Sequence, residues 1–289
     1  MEAGCRLARV HDAVQGVDLP LALMYPVQAA ATTRRLGPYE VHAAWDAPPA
    51  GAHLPLVVLS HGNNGSPWTL GDLAADLARA GFVVALPEHV GNSRSDSSLA
   101  GTLANLRNRP RHLSLAIDAA LADDVVGACV RRGPVAAGGI SIGGYTALAA
   151  AGGHAWCGPH ESRDGQPQPV DATPDARIGA LVLLAPATFW FAADGALGDV
   201  AQPILLRSGS RDAITPALHA GRVLGGVPDP LRVEHEVVEG AGHFSFLGVF
   251  PPAMTRPDFP PSQDPPGFDR AAYQPRLFAD VADFLRRSL

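Results

Sequence analysis

The 289-residue sequence contains no lysine; all 22 of its basic residues are arginine. That excludes Schiff-base chemistry, a P-loop lysine and a Ser-Lys dyad. Cysteine is nearly as scarce. Cys5, Cys129 and Cys157 are odd in number and far apart, which gives neither a disulfide framework nor zinc-ligand spacing, so no metal is expected. Charged residues make up only 17% of the chain and sum to −6, which leaves no electrostatic case for nucleic acid. Long apolar runs are also missing. The most hydrophobic stretch, ALVLLAPATFWFAA, is short and broken at Pro186, so no stable membrane insertion is expected. The opening MEAGCRLARV has no signal-peptide core, which points to a cytoplasmic location; a trimmed N-terminus would leave secretion open.

What is present alternates strand and helix, with no repeat and no linker, so residues 1–289 read as a single α/β domain. Leu19–Tyr25 and Val41–Trp45 look like early antiparallel strands. Residues 54–60 (LPLVVLS) form a continuous apolar run suited to a strand buried on both faces, and 82–87, 178–186 and 203–209 read as further strands. Between them, SPWTLGDLAADLARAG reads as a helix opened by Ser66 and Pro67 and closed at Gly81. RPRHLSLAIDAALADDV reads as a helix with Pro110 near its start, TPALHAGRVL as one opened by Thr215 and Pro216, and DRAAYQPRLFADVADFLRRSL as a closing helix. The pattern predicts a mostly parallel central sheet with helices on both faces. Residues 152–177 and 251–266 break the alternation as irregular excursions. The second holds seven prolines in sixteen positions and could form a lid.

One serine stands among glycines where a predicted strand meets a predicted helix, in GGISIGG at Ser141. A G-x-S-x-G elbow exposes the hydroxyl on a sharp turn, and side chains at Gly139 or Gly143 would crowd that turn; a plain tight turn is the bland reading. A base is expected late in the chain. EGAGHFSF offers His243, whose bland reading is a loop histidine packed by Phe244 and Phe246. LLRSGSRDAITP offers Asp212 as the orienting acid, with a turn or capping aspartate as its alternative. The order Ser141, Asp212, His243 is that of α/β-hydrolases. SHGNNGSP follows a strand and precedes a helix. It would supply one oxyanion N–H, at Asn63, beside that of Ile142, while His61 reads as a turn residue bonded to backbone. Trp68, Phe189, Trp190, Phe191, Phe244 and Phe246 are candidate lining for an acyl cleft, and Trp68, Trp190 and Phe244 are expected to bind the substrate. RNRPR (107–111) reads as a solvated helix entry and PHESRD (159–164) as an incomplete zinc motif. Glu88 and His89 are expected to order the loop after their strand.

At PLVVLSHGNNGS, LARAGFVVALPEHVGN, GGISIGGYTAL, GSRDAITP and EGAGHFSFL the chain resembles the α/β-hydrolase superfamily. It is most similar there to the platelet-activating-factor acetylhydrolase and predicted dienelactone hydrolase group of serine esterases. The resemblance implies a sheet with little or no cap, a small-molecule ester as substrate and no cofactor. It also implies Ser141 as nucleophile, His243 as base, and Asn63 with Ile142 as oxyanion donors. The chain departs from that group at two places. Authentic dienelactone hydrolases carry a cysteine where this chain has Ser141. The animal acetylhydrolases keep their acid where this chain reads Ala185-Pro186-Ala187, which moves the expected acid to Asp212. A peptidase or an acyltransferase would use the same three side chains, and a silent binding module is the third class. The missing propeller or cap counts against peptide cleavage.

Overall fold

The computed structural model describes residues 1–289. Ten strands form one sheet. In chain order the elements are β1 (Glu2–Asp12), β2 (Val17–Val27), β3 (Thr32–Leu36), β4 (Tyr39–Trp45), β5 (Leu56–Ser60), α1 (Gly71–Arg79), β6 (Val83–Pro87), α2 (Leu103–Ala122), β7 (Val135–Ile140) and α3 (Ile142–Ala150). A two-stranded ribbon follows, β8 (Trp156–Cys157) with β9 (Gln168–Pro169). Then come β10 (Ile178–Leu184), β11 (Ile204–Gly209), α4 (Leu218–Gly226), β12 (Val233–Val238) and α5 (Arg270–Ser288). The sheet order is β12-β11-β10-β7-β5-β6-β2-β1-β4-β3. From β12 to β6 all neighbours are parallel. The β6–β2 and β2–β1 pairs are antiparallel. No helix is long and apolar enough to cross a membrane.

The central strands are apolar on both faces because both faces are covered. In β5, Leu56 and Val58 enter the core under α2, α3 and α4, while Val57 and Leu59 enter the one under α1 and α5. The same period-two split holds in β6, where Val83 and Ala85 face one layer and Val84 and Leu86 the other. The expected parallel sheet and two helical layers are therefore present.

The N-terminal quarter differs in detail from the sequence expectation. The two early strands lie within β2 and β4, but they are not partners. β1 separates them, antiparallel to β2 and parallel to β4 through Gly4 and Cys5. The buried face of β1 is made of small residues such as Ala3 and Cys5, and its second half is alternately exposed, so it carries little apolar signal.

α2 also starts earlier than Pro110 suggested. Thr102 caps it, its side chain accepting from Asn105 N at 3.2 Å, and Pro110 lies inside the helix. Proline removes the N–H that would bond the carbonyl four residues back. That carbonyl, on Leu106, takes the Tyr145 hydroxyl instead at 3.0 Å. A tertiary donor from α3 thus replaces the missing backbone bond, which lets a helix run through a residue that usually ends one.

Candidate active site

Ser141 sits between β7 and α3 with φ 58° and ψ −122°, one of five non-glycine residues with positive φ. The glycines around it permit this turn. A Cβ on Gly139 would strike the Ser60 carbonyl oxygen and the Gly143 backbone, and one on Gly143 would strike Ser60 again. A Cβ on Gly144 would lie 2.5 Å from Pro186 Cβ. The clashes at Gly139 and Gly143 involve backbone, which cannot rotate away. Gly143→Ala is accordingly expected to lower stability by roughly 3 kcal/mol or more, the upper end for overpacking. Urea denaturation of the variant against wild type measures it.

Asp212 lies just beyond β11, 5% exposed. Its Oδ1 accepts from Ile214 N at 2.8 Å and Thr215 N at 2.7 Å. Its Oδ2 accepts from the Thr215 hydroxyl at 2.7 Å and lies 2.8 Å from His243 Nδ1. Burial pushes the carboxyl pKa up, but the bonds from His243 and Thr215 outweigh it and hold the group below its ordinary value. His243 opens the short 3-10 turn after β12 and is itself buried. Thr215 Oγ1 lies 2.9 Å from His243 Nδ1 and also reaches the Ala185 carbonyl at 3.2 Å. Thr215 was expected to open a helix; α4 begins only at Leu218, and Thr215 clamps the acid–imidazole pair.

The loop after β5 runs beside the serine. A Cβ on Gly62 would stand 3.7 Å from Ser141 Cβ, and Gly65 N closes a turn onto Gly62 O at 3.1 Å. Asn63 N–H makes no hydrogen bond to the protein backbone. Ile142 is the first residue of α3, so its N–H has no intrahelical acceptor. Asn63, Ser141 and Ile142 line one cavity together. His61 is a bonded turn residue, as expected: its Nδ1 donates to Gly62 O at 2.8 Å, and its Nε2 accepts from His89 N at 3.1 Å. Glu88 orders the following loop by accepting from Ser93 and Ser95 Oγ at 2.8 and 2.5 Å.

Two cavities meet at Ser141, each about 310 Å³. One also exposes His243 and is walled by Tyr39, Phe244, Leu247, Phe250 and Phe259. The other is lined by Asn105, His160, Glu161, Phe189 and Trp190. Both irregular excursions supply walls: Phe259 and Pro261 come from 251–266, and His160 and Glu161 from 152–177. Glu161 is buried and accepts from Trp190 Nε1 at 2.9 Å, which pins one wall to the other. Phe244 and Trp190 therefore stand in the cleft, one in each arm.

Trp68 does not. Ser66 caps a 3-10 turn (Pro67–Leu70) that directs the indole toward α1 and β2, where it lines grooves that lack Ser141. Phe191 and Phe246 are core residues, stacked on Tyr145 and edge-on to Tyr273 respectively. Sequence reading also missed Arg109. Far from being solvated at a helix entry, it is 0% exposed.

His61 and His89 are both fully buried, with ring centroids 4.8 Å apart. Burial, then the neighbouring Arg109 charge, pushes His61 down to about 3 and His89 well below its ordinary value. Both stay neutral in the folded chain while the unfolded chain protonates them below about pH 6.5. Stability is therefore fully present above that pH and lost as pH falls through it, at roughly 1.4 kcal/mol per pH unit for each ring. Urea midpoints at pH 7, 6 and 5 should decline accordingly, and His89→Gln should flatten the decline.

Against known proteins, the sequence model described as platelet-activating factor acetylhydrolase, isoform II, matches residues 10–116. That stretch contains the His61–Asn63 loop and Arg109 and ends before the elbow. No curated protein matches the sequence. Among solved structures, the chain is similar to a ferulic acid esterase from Streptomyces cinnamoneus at 22% identity and TM-score 0.70, over 100% of this chain and 90% of that one. It is similar to a dienelactone hydrolase from Anabaena variabilis at 15% identity and TM-score 0.55, over 99% of both chains. It is also similar to an alpha-beta serine hydrolase homologue from Coxiella burnetii at 16% identity and TM-score 0.56, over 98% of this chain and 96% of that one. The chain has the α/β-hydrolase fold.

Proposed function

We propose that this chain is a serine hydrolase that cleaves carboxylic esters of small to medium acyl groups. The observation that carries the reading is one constellation. A serine on a strained strand-to-helix turn and a histidine bonded at 2.8 Å to a buried, ionised aspartate open on the same cleft. With Asp212 accepting from Nδ1–H, the neutral imidazole keeps Nε2 bare, which is the tautomer a general base needs. His243 takes the Ser141 proton as the hydroxyl attacks the ester carbonyl. The oxyanion is held by the N–H groups of Asn63 and Ile142. The alcohol leaves with the proton from His243, and water repeats the cycle on the acyl enzyme.

The apolar arm, with its phenylalanines, suits the acyl group; the arm with Asn105, His160 and Glu161 suits the alcohol. The ferulic acid esterase neighbour, by its name, handles esters of an aromatic acid, and the aromatic lining here is compatible with such acyl groups. The test is a nitrophenyl-ester series of increasing acyl length, with one aromatic acid included and Ser141→Ala as control. Turnover is expected to peak at short to medium chains and to vanish in the control. Turnover undiminished in Ser141→Ala, or none in wild type across the series together with no fluorophosphonate labelling, would overturn the reading.

A further inference from the structure

Arg109 is a fully buried cation, and no partner of its guanidinium is a carboxylate. An isolated buried charge is costly unless hydrogen bonds compensate it. Burial draws its pKa down to about 9, so it remains protonated at neutral pH. Four of its N–H donors are paired, and they reach both halves of the site. NH2 donates to the His61 carbonyl, two residues before Asn63. NH1 donates to Asn92 Oδ1 at 2.7 Å, and Asn92 Nδ2 donates to the side-chain oxygens of Asn63 and Asn64 at 2.7 and 3.1 Å. Nε donates to Thr146 Oγ1 at 3.0 Å, and that hydroxyl donates to the Ile142 carbonyl at 2.8 Å. One planar fork thus grips the loop that carries Asn63 and the helical turn that carries Ile142.

A chain of hydrogen bonds leads the charge away from the cleft. NH2 also donates to Ser60 Oγ at 3.1 Å, and Ser60 Oγ lies 2.8 Å from His89 Nε2. His89 Nδ1 lies 3.1 Å from His112 Nδ1. His112 Nε2 faces only acceptors, Gln15 Oε1 at 2.5 Å and Asp12 Oδ2 at 3.4 Å. Nε2 must therefore carry the proton, which leaves His112 Nδ1 as acceptor, His89 Nδ1 as donor and His89 Nε2 as acceptor from Ser60. Every step then points the same way, from the guanidinium to the carboxylate. Asp12 is 1% exposed and tied to Arg111 at 2.7 Å. Aligned dipoles of this kind offset the buried cation without placing a carboxylate beside it, where it would cancel the field.

We propose that Arg109 is the positioning residue of the oxyanion site: it fixes the Asn63 and Ile142 donors relative to each other and sets a positive charge behind both. The role rests on the ester-hydrolase reading above. It predicts an effect on the reacting state rather than on ground-state binding.

The test is inactivation of the full chain by a fluorophosphonate, which needs no knowledge of the natural ester. It is read as a limiting rate and a saturation constant per folded molecule. Arg109→Met is expected to lower the limiting rate about 100-fold, the loss typical of a missing oxyanion donor, with the saturation constant within about threefold. Arg109→Lys, which keeps the charge and loses the fork, should recover about tenfold of that loss. Thr146→Val, which cuts only the link to Ile142, should slow the limiting rate roughly three- to tenfold. A folded Arg109→Met that reacts at the wild-type limiting rate, whatever its melting temperature, overturns the role. Where Arg109→Met does not fold, a Thr146→Val variant at the wild-type rate overturns it equally. Wild type that fails to label at Ser141 overturns the hydrolase reading, and this role with it; rapid wild-type labelling matched by Arg109→Met overturns the role alone.

Discussion

Ester turnover is expected to fall about a million-fold when Ser141 becomes alanine, the loss seen when a serine nucleophile is removed from an otherwise intact site. The magnitude follows from the chemistry proposed. Without the hydroxyl no acyl enzyme forms, and the Asn63 and Ile142 N–H groups can assist only direct attack by water. The fold should survive, because the Ser141 backbone is held by bonds that do not involve its side chain: its N–H donates to Leu184 O at 3.1 Å, and its carbonyl accepts from Gly144 N and Ala187 N at 2.9 and 2.8 Å. A second variant separates strain from chemistry. Ser141 is held at φ 58°, a conformation that costs a non-glycine residue of the order of 1–3 kcal/mol. Ser141→Gly should therefore be as inactive as alanine yet more stable than wild type by about 1 kcal/mol or more, read by urea denaturation. Activity lost with stability gained is the signature of a strained nucleophile. A glycine variant less stable than wild type would show that the turn is relaxed.

The residues proposed for chemistry were legible because local geometry constrains their neighbours. Gly139 and Gly143 flank Ser141 since a Cβ there meets the Ser60 carbonyl, and such a restriction is written in the sequence as glycine. Asp212 and His243 lie at strand ends because a parallel sheet gathers its carboxyl ends on one edge, so strand periodicity and chain order sufficed to select them. The central strands were legible for the same reason: two apolar faces leave no alternation to misread. Arg109 was hidden. An arginine amid RNRPR reads as solvated, and four of its donors find partners at the end of β5, on α3 and on the loop after β6, none of them near in sequence. The true start of α2 was hidden by Pro110, whose missing N–H is replaced by the Tyr145 hydroxyl from another helix. Trp68 misled because an aromatic next to the SHG loop could face either side, and only the Ser66 cap decides which. Thr215 looked like a helix opener and instead holds two members of the site.

The second large effect concerns the acid. Asp212→Asn is expected to lower kcat about ten-thousand-fold at neutral pH while leaving the fold unchanged. The direction follows from where the two carboxylate oxygens point. Oδ1 is fixed by two backbone donors, Ile214 N and Thr215 N, so an asparagine must keep its carbonyl oxygen there. Its NH2 then occupies the place of Oδ2, 2.8 Å from His243 Nδ1 and 2.7 Å from Thr215 Oγ1. An amide can only donate to Nδ1, which moves the imidazole proton to Nε2 and blocks the nitrogen that should accept from Ser141. The imidazolium formed during attack also loses its counter-charge in a buried site. Thr215→Val probes the same pair more gently. It removes one donor to Oδ2 and leaves the charge, so a loss of roughly fivefold is expected, the effect of one hydrogen bond of about 1 kcal/mol. Steady-state kinetics on the best nitrophenyl ester, with circular dichroism to show that both variants are folded, measures both. A ten-thousand-fold loss in Asp212→Asn beside a small one in Thr215→Val would mark the carboxylate charge and the tautomer it imposes as the source of reactivity. Equal, small losses would mean that His243 needs only to be held in place.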